Sequence, residues 1–68
     1  MHTFFIIAVL GMGNPATEFR EIRLARPMAE LECALQAPAM IWQDTRVAAL
    51  IRGGWRLVMW DCRQGSDV

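Results

Sequence analysis

The run FFIIAVL at 4–10 has no polar side chain and stops at a glycine, Gly11. A continuous apolar run of this length, closed by a turn residue, suits a strand covered on both faces. It falls far short of the roughly 20 residues a membrane span needs. It also lacks the basic leader and small-residue cleavage pattern of a signal peptide. We place the first strand at 3–10 and expect the rest of the chain to cover it. Sixty-eight residues allow one small domain, 1–68, burying roughly 60% of the unfolded chain's surface. The 54% apolar content and three tryptophans can fill such a core, and balanced charge argues against disorder. A chain this short cannot hide all its apolar surface, so a protein partner or self-association is expected.

Beyond Leu10, Gly11 and Gly13 allow a sharp turn, and Asn14-Pro15 reads as a helix start, an Asn cap before a first-turn proline. Phe19 and Ile22 then share a helix face up to Leu24 or Ala25. A second helical pattern spans 27–36, with Met28, Leu31 and Leu35 on one side and Pro38 as its stop. Two helices and one kinked helix both fit. In RVAALIR, Val47, Ala49 and Ile51 alternate with their neighbours; a helix through Val47, Leu50 and Ile51 after an Asp44 cap fits the same letters. The strand is preferred because Gly53-Gly54 can close a hairpin onto WRLVMWDC. The expected fold is therefore small α/β: strand, helical segment, strand, strand, with a C-terminal β-hairpin. The tail RQGSDV is expected to fray.

Seven arginines and no lysine balance seven acids. A neutral chain lacks the basic excess of most nucleic-acid domains. Cys33 and Cys62 read as two separate buried thiols, which suits a reducing cytoplasm. No metal set or cofactor motif is present: Ala16 stands where a dinucleotide loop needs its third glycine, and no Gly-Lys-Ser/Thr follows. His2 is the sole histidine and sits at a terminus, so neither Ser66 nor a cysteine has a convincing basic relay. Glu18, Glu21, Glu30 and Glu32 read as solvated helix positions. No catalytic residue is assigned.

The stretch 6–23 resembles the start of bacterial peptidyl-tRNA hydrolases. In that family a strand leads into G-[LM]-G-N-P-G, followed by an aromatic and then T-R-H-N. Gly11, Met12, Gly13, Asn14 and Pro15 match, with Phe19 at the aromatic and Arg23 at the arginine. Asn14 would inherit a substrate-positioning role. Leu24 stands in place of the family's catalytic histidine, Ile22 in place of its threonine, and Ala25 in place of its asparagine. The resemblance implies a truncated relative without the base.

The favoured function is non-enzymatic: a protein-interaction module, such as a small regulator or inhibitor. Its expected face is Arg46, Arg52 and Arg56 with Trp42, since arginine and tryptophan anchor protein interfaces. An RNA-binding remnant of the hydrolase architecture is the alternative, because the same residues could touch phosphates and stack bases. An active peptidyl-tRNA hydrolase ranks third.

Overall fold

The computed structural model describes residues 3–65. Five elements follow in order: β1 (Phe4–Gly13), β2 (Ala16–Met28), α1 (Glu30–Gln43), α2 (Thr45–Arg52) and β3 (Arg56–Gln64). The strands form one antiparallel sheet in the order β2-β1-β3, and both helices pack on one of its faces. The mixed α/β class holds, while several elements differ from the sequence reading.

The apolar run became the central strand. Ile6, Ala8 and Leu10 point toward the helices and are fully buried. Side chains alternate along a strand, so Ile7 points to the opposite face, yet it is only 4% exposed. It lies directly opposite Arg23 on β2 and Asp61 on β3. Arg23 lays its guanidinium 4.0 Å from the Phe5 ring centroid, so polar neighbours roof this second face.

The first correction concerns 14–24, expected to be helical. The turn at Asn14-Pro15, whose peptide bond is cis, reverses the chain into β2 and makes an N-terminal hairpin. Phe19 and Ile22, three apart, fall on opposite faces of that strand. The β1 backbone needs ladder partners on both sides, and a helix here would have left one edge of the most apolar strand unpaired. Pro27 does not break the ladder. The register slips between Phe4↔Met28 and Ile6↔Leu24, so Pro27 sits in an irregular stretch where its missing N–H costs no regular pairing. Gly13 takes φ +101°, which favours glycine in the turn. At Gly11 a Cβ would stand 2.8 Å from Val58 Cγ2 and 2.9 Å from Ala16 Cβ, so both flanking strands demand a bare backbone.

The second correction concerns 27–36. The helix starts later, at Glu30, and runs through Pro38 to Gln43. Proline cannot donate to the Ala34 carbonyl. The helix continues because Cys33, Ala37 and Ile41, spaced by four, all dock into the core on either side of it. Glu30 and Glu32 in the first turn complement the helix dipole.

The third correction removes the C-terminal hairpin. Residues 46–52 are helical, as α2. Asp44 caps its start, accepting the N–H groups of Arg46 at 2.9 Å and Val47 at 3.2 Å. Gly53-Gly54 ends it in a Schellman motif: Trp55 N–H donates to Leu50 O at 3.0 Å and Gly54 N–H to Ile51 O at 3.1 Å, with Gly54 at φ +97°. The two glycines thus release the chain from a helix, and β3 crosses back to pair with β1. Val47 is fully buried and Leu50 and Ile51 half-buried, the helical spacing that the strand reading set aside.

The fourth correction concerns the cysteines. Cys33 and Cys62 are bonded to each other, with Cα atoms 6.1 Å apart. Both side chains point into the layer between α1 and the sheet, which sequence spacing alone does not disclose. The bond ties α1 to β3 across a separation of 29 residues.

Candidate interaction surface

The arginines chosen from the sequence are placed in separate positions with separate duties. Arg46 forms an ion pair with Asp44, Nη2 to Oδ2 at 2.9 Å and Nε to Oδ1 at 3.2 Å. Its Nη2 also donates to the Arg23 carbonyl at 3.2 Å. Arg56 Nη2 donates to Gly13 O at 2.7 Å and pins the β1–β2 turn. Arg52 ends α2, six residues and about 9 Å along the axis from Arg46, favourable to the dipole. Trp42 lies on the outer face of α1 and is 57% exposed. Other arginines also stay within the fold: Arg20 stacks over Trp55 at 5.4 Å, and Arg63 pairs with Asp61 at 3.9 Å.

The hydrolase-like residues are spread along the hairpin. Gly13, Asn14 and Pro15 form its turn, and Gly11 lies on β1 opposite Phe19. Phe19 and Arg23 sit four apart on β2, on the sheet face away from the helices. The expected strand-to-helix corner with an Asn cap is replaced by this turn. His2 and Ser66 lie outside the described residues, as does the end of the tail expected to fray. Among the described residues no group of three His, Cys, Asp or Glu could hold a metal, and no helix is long and apolar enough to cross a membrane.

Asp44 is the described carboxylate with a clear shift. The Arg46 side-chain hydrogen bond holds it below the ordinary carboxylate range; partial burial opposes this, and the backbone N–H groups of Val47 and Arg46 reinforce it. A depressed folded pKa gives stability that is present above the ordinary carboxylate range and lost as pH falls through the folded value. Asp44→Ala should therefore lower the unfolding free energy by about 1 kcal/mol near neutral pH, as the loss of an N-cap does. The gap from wild type should shrink toward about pH 2, which urea unfolding at both pH values would measure.

On each sheet edge one outward backbone group is taken by a side chain. Gly65 N–H bonds to Thr3 O at 2.8 Å, so along β3 the alternate amide of Cys62 faces away from β1; Asp61 Oδ1 accepts it at 2.9 Å. On the other edge the outward Arg23 carbonyl takes the Arg46 bond already described. Occupied edge groups disfavour strand addition. The faces remain.

On the sheet's open face Phe19, Val58 and Met59 are exposed, but Glu21, Arg23, Asp61 and Arg63 interleave with them. The outer face of α1 is different. Leu31 is 70% exposed and Leu35 73%, and together with Trp42 they share a stripe. At about 100° per residue the three fall within about 40° of one another, and Pro38 lies about 20° to one side of them. From 33 to 43 the helix carries no charged residue. The sequence reading named Leu31 and Leu35 as one helix side but did not separate it from the buried side. The spacing of Cys33, Ala37 and Ile41 is the signal that does so.

No family model matches the chain, and no curated protein or solved structure does.

Proposed function

We propose that this protein is a non-enzymatic protein-interaction module acting through the outer face of α1. One observation carries the reading: a helix already buried on the Cys33, Ala37 and Ile41 side also presents Leu31, Leu35 and Trp42 to water. Holding large apolar side chains in water is unfavourable, and contiguous exposed patches of this kind mark docking sites. The module is a small regulator or inhibitor in its simplest form, since Arg46 and Arg56 of the expected arginine face are engaged within the fold and the outer face of α1 is left to dock. The cytoplasmic reading rested on two separate thiols. The Cys33–Cys62 bond withdraws that support and favours an oxidising compartment.

The test compares wild type with Leu31→Ser/Leu35→Ser. The two exposed positions can change without opening the core, so circular dichroism should be unchanged. Solution mass is measured alone and after incubation with cell extract, and retained species are identified. The reading expects wild type to gain a protein partner, or a second copy of itself, that the variant loses. Retention unaffected by the substitutions contradicts it. Retention of RNA with steep salt dependence would favour the RNA-binding alternative instead.

A further inference from the structure

We infer that the outer face of α1 is covered by the same face of a second copy, with the two helices antiparallel. The inference rests on the interaction reading above and names its partner. Residues 31, 35, 38 and 42 are spaced 4-3-4, the 3.5-residue repeat of a helix-pairing seam. Leu31, Leu35, Pro38 and Trp42 fill those positions. Alanines 34 and 39 flank the stripe, and their small size allows close approach of the helices.

Charge selects the orientation. The charged side chains of α1 are Glu30 and Glu32, both in its first turn. A parallel pair would crowd four carboxylates at one end. The antiparallel pair places the two acidic ends about 17 Å apart, beyond the Debye length of about 8–10 Å near physiological salt. In that arrangement a two-fold axis passes between Gln36 and Ala37. Leu31 then meets Trp42 of the second copy, Leu35 meets its Pro38, and Gln43 lies on the same flank of the seam as its Glu32. The helix dipoles also oppose one another. The chain's net charge is zero, so no long-range repulsion resists association.

Area sets the expected strength. Leu31, Leu35 and Trp42 together expose on the order of 350 Å² per copy, and the flanking residues bring a symmetric pair to about 1,000 Å² in total. Stable specific interfaces bury about 1,200–2,000 Å². The pair therefore sits at the weak edge of that class, half-formed between about 10 μM and about 1 mM.

Sedimentation equilibrium across that range tests the inference. The mass should climb from that of one chain toward twice that value. Leu35→Glu puts two carboxylates near the two-fold axis and should hold the chain monomeric, with unchanged circular dichroism. Gln43→Arg lies on the flank of the second copy's Glu32 in the antiparallel pair and should lower the half-dimer concentration by about threefold, whereas in a parallel pair the two arginines would stand at one level, away from every carboxylate of the helix, and weaken association. A constant single-chain mass up to about 1 mM overturns the inference, as does a dimer indifferent to Leu35→Glu or one weakened by Gln43→Arg. Two further outcomes separate the claims. If the chain stays monomeric while Leu35→Glu removes some other bound protein, self-pairing fails and the interaction reading stands. If Leu35→Glu changes neither mass nor partner retention, both fail.

Discussion

Reduction of the Cys33–Cys62 bond is expected to lower the unfolding free energy by about 3.5 kcal/mol, at least about a third of the stability a chain of this size has. The size follows from loop closure. The bond closes a loop of about 30 residues, and the chain-entropy estimate for that length is about 3.5 kcal/mol. A chain of this size has a total stability of only about 3–10 kcal/mol. The bond also joins two elements from opposite sides of the core: Cys33 is fully buried on the inner face of α1, and Cys62 lies opposite Ile6 on the central strand. Reduction frees α1 from β3 and exposes the layer that holds Ile6 and Ile41. Urea unfolding with and without reductant measures the effect. A Cys33→Ala/Cys62→Ala chain should start at the reduced stability and ignore the reductant. An oxidised chain whose unfolding midpoint does not move on reduction would show that the bond contributes little.

The parts of this fold that were legible from sequence were those with one periodicity. FFIIAVL allowed only a buried strand, and it became the centre of the sheet. Residues 55–62 carried large apolar groups on both faces and became most of β3, bonded to that centre. Stretches with two compatible periods went wrong. In ATEFREIRL, Phe19 and Ile22 fit a helix face, but Ile22 and Leu24 fit a strand face equally well, and only the unpaired edge of β1 decides between them. In RVAALIR the Asp44 cap and the Gly53-Gly54 stop are both helix signals. The same glycines also fit a hairpin loop. Turn chemistry at one end of a segment is ambiguous; a cap at each end is not, and α2 has both. The disulfide was hidden because partners 29 residues apart meet only when α1 is laid across β3. The candidate surface was half visible. Trp42 stands out by residue type, while Leu31 and Leu35 are recognised as outward only once Ile41 fixes the buried side of the helix. Of the arginines whose chemistry suits an interface, the fold spends Arg46 on Asp44 and the Arg23 carbonyl, and Arg56 on the Gly13 carbonyl.

Helix α1 has two apolar faces, one in the core and one turned outward to water. Neighbouring residues separate them. Ile41 is fully buried beside Ala37 and Val47, while Trp42, the next residue, is mostly in water. Truncating Ile41 to alanine removes buried methylenes and leaves a cavity, which costs about 2–5 kcal/mol. Trp42→Ala loses only partial contact and should cost less than about 1 kcal/mol, although it removes the largest side chain of the helix. Urea unfolding of the oxidised single variants at about 5 μM, below the range expected for pairing, makes the comparison on monomers. A large drop is expected for Ile41→Ala and a near-wild-type curve for Trp42→Ala. Equal losses, or a larger loss at Trp42, would mean that α1 is rotated, that the tryptophan belongs to the core, and that the outer face described here does not exist.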